Sequence, residues 1–158
     1  MIEAPPSRDS TPEEVAYHEA GHAVVGHSLG LVLVDVDVLG DSEGGHGHTN
    51  FRRPDWYRPE VSQDERHERF VEAVVITFLA GAIAEARRAS FRNPNASGFD
   101  LDAVAREWLH LLDSPDEEAL MQRAEALVDE NWPAIERLAK ALMRARRLPG
   151  PEALAAAS

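Results

Sequence analysis

The sequence of 158 residues contains no cysteine. This absence excludes disulfide bonds, thiolate nucleophiles and cysteine-ligated metal sites, so His, Asp and Glu are the side chains available to bind a metal ion. Basic residues are few as well, 16 against 28 acidic ones, which gives a formal net charge of -12. Because nucleic acids and anionic membrane surfaces attract positive charge, we expect neither to be the main partner.

Long hydrophobic runs are also missing. The longest uncharged apolar run covers residues 73–84 and is too short to cross a bilayer. The polar, proline-containing first ten residues lack the apolar core of a signal peptide. We therefore expect a cytoplasmic protein that does not bind membranes. The length suits one domain, which we place at residues 11–158 after a flexible N-terminal tail at residues 1–10.

Most of the chain has patterns typical of helices. The best-defined helix start is Thr11, followed by Pro12 and by Glu14, because these residues form the pattern of a capping box with proline in the first turn. This helix is predicted to run to about residue 29, with Gly30 ending it. Further helices are predicted over residues 64–88, 99–112, 114–130 and 134–147, with a loop at residues 90–98.

A small β element interrupts the helical pattern. Residues 31–39 are rich in Val and alternate with Asp toward their end, which is typical of a strand with one polar face. Residues 47–52 are a plausible second strand after a glycine-rich turn. The predicted fold class is therefore mainly α, with a small β-hairpin or β-sheet element.

The motif with the clearest chemistry is His-Glu-x-x-His, formed by His18, Glu19 and His22 on the first predicted helix. Residues four apart lie on one helical face, so His18 and His22 can bind one metal ion. Glu19 is turned by about 100° from His18 and would lie beside the metal ion, where a carboxylate can take a proton from water. The competing interpretation is a capped amphipathic helix whose two histidines are exposed to solvent or packed in the core.

Catalytic zinc needs a third protein ligand, and two downstream carboxylates are candidates. Glu85 lies on the predicted core helix in an apolar neighbourhood, where an unpaired carboxylate would be unfavourable. Asp100 lies in the first turn of a predicted helix, a position that also favours acidic residues for electrostatic reasons alone. Spacing does not choose between them.

Several segments together resemble the FtsH-type ATP-dependent metalloproteases, peptidase family M41. The segment AYHEAGHAVVG resembles the zinc-binding helix of that family, and GHTNF resembles the strand that follows it. Further along, LAGAIAE, ASGFDL and the C-terminal helices resemble the family's segments in the same order. The resemblance covers roughly residues 11–154.

The resemblance implies a zinc ion bound by His18, His22 and Asp100, with Glu19 as the catalytic glutamate. Glu85 then becomes a hydrogen-bonding partner of a ligand histidine, or remains the alternative third ligand. The implied activity is endopeptidase cleavage of unfolded or extended polypeptides. We expect the strand with Gly47, His48, Thr49 and Phe51 to bind substrate backbone through an exposed edge.

The sequence also departs from that family. It has no Gly-Lys pair, so it lacks the phosphate-binding loop of the family's ATPase module and should not bind ATP. We therefore expect a shortened, stand-alone peptidase domain, with a separate ATPase or a homo-oligomer as possible partners. The alternative is a catalytically inactive zinc-bound module that binds peptides or another protein. A third interpretation is a helical scaffold without metal.

Overall fold

The computed structural model describes residues 2–3, 11–39, 47–92 and 103–158. These residues form six helices and one four-stranded antiparallel sheet, which confirms the predicted mainly α fold with a small β element. The elements in chain order are β1 (Ile2–Glu3), α1 (Pro12–Ser28), β2 (Val32–Asp37), β3 (His48–Arg52), α2 (Glu65–Arg92), α3 (Ala103–Leu109), α4 (Glu117–Glu130), α5 (Trp132–Ala145), β4 (Arg147–Pro149) and α6 (Gly150–Ala157).

The start and end of α1 follow the sequence prediction. The backbone N–H of Glu14 donates to Thr11 Oγ1 at 3.2 Å, and the Thr11 N–H donates to the Glu14 carboxylate at 3.3 Å, which completes the capping box. Pro12 occupies the first helical turn. Gly30 follows the helix with a φ of +89°, a conformation that glycine adopts without the penalty of a Cβ atom.

Helices α1 and α2 cross in the centre of the core. All residues from Val15 to Gly26 are buried, so α1 is enclosed around most of its circumference. A Cβ atom on Gly21 would lie 2.8 Å from the Ala80 carbonyl oxygen, so the crossing depends on glycine at this position. Helix α5 packs on α1, and α3 and α4 pack on α2. Among the described residues, no helix combines the length and the apolar character that a membrane span requires.

The sheet has the strand order β1-β3-β2-β4, and every neighbouring pair is antiparallel. The predicted hairpin is its centre, with Leu33 opposite Phe51 and Val36 opposite Thr49. The register shifts between Leu33 and Asp35, which indicates a bulge or irregularity in β2. The hairpin therefore places β3 in the interior of the sheet.

The two outer strands differ from the sequence prediction. Ile2–Glu3 lies in the segment that we expected to be a tail, yet it pairs with Phe51 and Asn50 of β3. Arg147–Pro149 pairs with β2, whereas the predicted helix over residues 134–147 ends at this point. A strand of two or three residues is too short to show the alternation of apolar and polar side chains that predicts a strand. These two strands are therefore defined only by their pairing with distant segments.

Several helix boundaries also differ from the prediction, including the end of α3 at Leu109 instead of residue 112 and the start of α5 at Trp132 instead of residue 134. Helix α2 continues to Arg92, past the expected loop start at Ser90. Helix α4 begins at Glu117, later than the predicted residue 114, and is capped by Asp116, whose side chain accepts a hydrogen bond from the Ala119 N–H. The remainder of the predicted 90–98 loop, and the expected start of the next helix at residue 99, lie outside the described residues.

Candidate metal centre

Helix α1 brings His18, Glu19 and His22 together on its buried side. All three are almost completely enclosed, and one potential ligand atom from each lies within 4.8 Å of the others. The two imidazole rings are 4.6 Å apart between centroids and stand nearly perpendicular, at 84°. Within the described part of the chain, this is the group of His, Asp and Glu residues with a spacing suited to one metal ion. We call these three residues the metal-site cluster.

His22 is held in one tautomer by α2. Its Nδ1 lies 2.8 Å from the Thr77 carbonyl oxygen, and a carbonyl can only accept, so Nδ1 carries the proton. This leaves the lone pair on Nε2 for a metal ion, the arrangement typical of ligand histidines. The ring lies directly over Gly81, where a Cβ atom would come within 2.7 Å of Nδ1.

His18, like His22, contacts helix α2, where it faces the carboxylate of Glu85. Its Nδ1 lies 3.5 Å from Glu85 Oε2, and both side chains are largely shielded from solvent. A carboxylate in this position favours the proton on Nδ1 and directs the lone pair of Nε2 away from Glu85. Glu85 thus contacts a histidine of the cluster, and it is not among the residues whose ligand atoms lie together there.

Glu19 is fully buried and is held by β3. Thr49 Oγ1 donates to Glu19 Oε2 at 2.5 Å, while a Cβ atom on Gly47 would lie 2.6 Å from Glu19 Cγ. Burial raises the pKa of Glu19 to about 7, and the nearby His18 and the Thr49 hydrogen bond act in the opposite direction. A carboxyl with such a pKa can both accept and release a proton near neutral pH.

The four residues for which we predicted substrate binding, Gly47 and three residues of β3, contact other parts of the protein in this structure. Gly47 and Thr49 are buried against Glu19, and Phe51 is buried in the core beside Gly26. His48 Nδ1 lies 2.7 Å from a carboxylate oxygen of Glu3. Because β1 already pairs with Asn50 and Phe51, the expected free edge is not present at that part of β3.

The donor set of the cluster fits zinc. Two imidazoles whose Nδ1 atoms face oxygen acceptors and an adjacent carboxylate match the ligand chemistry that zinc prefers, and no cysteine is needed. Asp100, the expected third ligand, lies outside the described residues. Sequence reasoning missed the Thr77 carbonyl because a backbone acceptor leaves no mark in the residue pattern. It included Thr49, but for a substrate-binding role rather than a bond to Glu19.

Comparisons with known proteins are consistent with this chemistry. No protein-family model matches the chain. The ATP-dependent zinc metalloprotease FtsH 1 of Symbiobacterium thermophilum is 35% identical over 159 aligned positions, which include 90% of this chain. The chain spans only about a quarter of that relative, since the alignment covers 25% of its length. The chain is therefore similar to one region of an FtsH protein.

Proposed function

We propose that this chain is a zinc-dependent endopeptidase that hydrolyses peptide bonds in unfolded or extended polypeptides. His18 and His22 would hold the zinc ion, with Asp100 as the proposed third ligand. Zinc in such a site polarises the scissile carbonyl and lowers the pKa of a bound water. The observation that carries the proposal is the Nδ1 contact of His22 with the Thr77 carbonyl, because it places the proton on Nδ1 and makes Nε2 the nitrogen that can act as a metal ligand.

Glu19 is the proposed general base. It follows His18 directly, so helix geometry places its carboxylate beside the two imidazoles. Thr49 fixes one carboxylate oxygen, Oε2, and no described residue donates a hydrogen bond to the other, Oε1. Oε1 is therefore the oxygen that we assign to taking a proton from the attacking water and passing it to the leaving amine.

We place the substrate beside the start of β3. Gly47 and Thr49 both contact Glu19, so a peptide lying next to this end of the strand would have its backbone close to the base. The described part of the β1–β3 pairing ends where Glu3 lies opposite Asn50. An extended chain is the form that can add to a strand through backbone hydrogen bonds, which supports unfolded polypeptides as the substrate class.

Cleavage of a fluorescently labelled, unfolded protein tests the catalytic role of Glu19. Replacing Glu19 with Gln keeps the size of the side chain but removes the base, so we expect a loss of at least about a hundredfold in kcat/KM. Glu125→Gln is the matched control, because Glu125 is exposed on α4 and far in sequence from the cluster. Equal activity of wild type and Glu19→Gln would refute the proposed mechanism.

Zinc content separates this proposal from its main alternative. We expect zinc in the purified wild type and in Glu19→Gln, and its loss in His22→Ala but not in His110→Ala, a change at an exposed histidine. Zinc without cleavage activity would favour the non-catalytic peptide-binding module. Absence of zinc after purification with excess metal would contradict both functions.

A further inference from the structure

A second concave region lies away from the metal-site cluster, where α1 ends. It is a groove of about 630 Å³ between the residues that follow α1, the end of β3, the loop after β3 and the first half of α2. None of His18, Glu19 and His22 lines it. Its volume is within the range of sites that bind small molecules or the end of a peptide. We call it the arginine groove.

The groove contains apolar side chains that the described residues leave partly exposed. Trp56 is 38% exposed and Val32 is 57% exposed, and both line it. Phe70 and Ala73 of α2 form a buried apolar part of the wall. Large apolar side chains are unfavourable in water, so their concentration in a concave region indicates a surface adapted to an apolar group.

The same groove carries positive charge on a strongly acidic protein. Arg52, Arg66 and Arg69 line it together with a single acidic residue, Asp55, whereas the whole chain has a net charge of -12. Three guanidinium groups around one concavity attract an anion and repel a cation. The overall negative charge makes this local excess of arginine a specific feature of the groove.

The arginines are available to bind a ligand. Within the described part of the chain, neither Arg52 nor Arg66 forms an ion pair, and Arg66 lies over the Trp56 ring with its guanidinium carbon 4.1 Å from the centroid. Stacking on an aromatic face leaves the N–H groups at the guanidinium edge free to donate. Arg69 contacts Glu65 at 3.2 Å, but that pair is exposed and therefore weak.

We propose that the arginine groove binds the C-terminal carboxylate of a polypeptide whose last residue is large and apolar. A C-terminal residue carries a carboxylate and its side chain on one Cα, so both fit a site where guanidinium groups adjoin Trp56 and Phe70. Arginine binds carboxylates through paired hydrogen bonds, which fixes the orientation of the chain end. That the ligand is a polypeptide rests on the proposed function. That the groove binds a carboxylate does not depend on the proposed function.

Binding of short labelled peptides tests this proposal, with fluorescence anisotropy as the readout. The peptides end in Leu-Phe with a free carboxylate, in Leu-Phe amide, or in Leu-Ala with a free carboxylate. Zinc-loaded Glu19→Gln protein is used so that cleavage does not consume the peptide. We expect the free acid ending in Phe to bind at least about tenfold more tightly than its amide, because a charge-assisted hydrogen bond is lost in the amide.

Arginine variants locate the binding. Combined Arg52→Gln and Arg66→Gln substitutions should lower the affinity for the free-acid peptide by at least about tenfold. A peptide whose carboxylate binds at the zinc ion instead would show no such loss. Arg144→Gln, at an exposed position of α5, removes one charge outside the groove and should leave affinity unchanged. Equal affinity for acid and amide, or no effect of the double substitution, would overturn the proposal.

The same assay distinguishes the source of the carboxylate. If 3-phenylpropionate competes as strongly as the peptide does, the peptide assignment is wrong and the groove binds small carboxylates. Binding of the peptide without any cleavage of unfolded protein would refute the proposed peptidase function while supporting the groove. Cleavage of unfolded protein without preferential binding of the free acid would support the proposed peptidase function and refute the proposal for the groove.

Discussion

The two candidate sites lie in the middle of α1 and just beyond its end, and they are built in opposite ways. The metal-site cluster occupies the enclosed middle of α1, where α2 and β3 contact it so closely that Gly81 and Gly47 leave no room for a Cβ atom. The arginine groove begins where α1 ends and is lined by long side chains that reach into solvent. Chemistry on a few fixed atoms benefits from the first arrangement, whereas recognition of a flexible chain end is compatible with the second.

The largest effect is expected from a substitution that fills the space between His22 and α2, because it tests whether the metal-site cluster depends on close packing. Gly81→Ala should reduce zinc affinity by more than about tenfold and lower the free energy of unfolding by about 1–3 kcal/mol, as overpacking does in other cores. The cause is that a Cβ atom would lie 2.5 Å from His22 Nε2 in a ring held by the Thr77 carbonyl. Denaturant unfolding and zinc titration measure the two effects.

Gly30→Ala is the matched control for that substitution. No atom of the described residues lies within 4 Å of a Cβ placed there, so the positive φ of 89° is what opposes alanine. We expect a cost of about 1 kcal/mol and unchanged zinc affinity. If both variants bind zinc equally, the close packing of Gly81 on His22 does not support the site.

The bond between Thr49 and Glu19 tests the contact between β3 and the cluster. Thr49→Val keeps the shape of the side chain but leaves a fully buried carboxylate oxygen without its donor, which should cost about 1–3 kcal/mol of stability. If Glu19 is the base, kcat/KM should fall as well, while Thr49→Ser should restore both. A Thr49→Val protein with unaltered stability and activity would show that the hydrogen bond has no role.

Glu85 tests how far the cluster depends on residues outside α1. Glu85→Ala removes the carboxylate 3.5 Å from His18 Nδ1, and loss of such a partner typically weakens metal binding by about 10–100-fold. Competition with a chromophoric chelator measures the change, with Glu125→Ala as the control on an exposed surface. Complete loss of zinc would instead indicate that Glu85 is a ligand.

The smallest effect is expected in the groove. Arg66→Gln removes a cation–π contact with Trp56 at an exposed site, so the free energy of unfolding should fall by only about 0.5–1 kcal/mol. Zinc affinity should not change. A much larger loss of stability would mean that this arginine has a structural role, which would remove the contrast between the two sites.

The sequence predicted those features whose causes are local. The capping box of α1 and the glycine after it depend on residues three or four apart, and the His18–His22 spacing depends on helix geometry alone. The hairpin was visible because β2 and β3 are adjacent along the chain. These elements could be predicted because the residues that determine each of them are close together in the sequence.

Other features depend on contacts between distant segments and could not be predicted. The Thr77 carbonyl acts through the backbone, and Thr49 reaches Glu19 only because the hairpin folds onto α1. The arginine groove combines residues from three separate stretches of the chain, 29–32, 52–56 and 66–73, and no local sequence pattern connects them. The position of Asp100 is untested because it lies outside the described residues.

The strand order has a consequence for folding. Asp35 of β2 and Arg147 of β4 form an ion pair although they are 112 positions apart, so the sheet is completed by a segment near the end of the chain. During synthesis, α1, the hairpin and α2 emerge well before β4. We therefore expect the helical core to form first and the outer strand to dock late, since non-local strand pairing is slow. A ribosome-bound chain that lacks β4 would therefore already contain the helix with His18 and His22, while the outer strand next to β2 would still be missing.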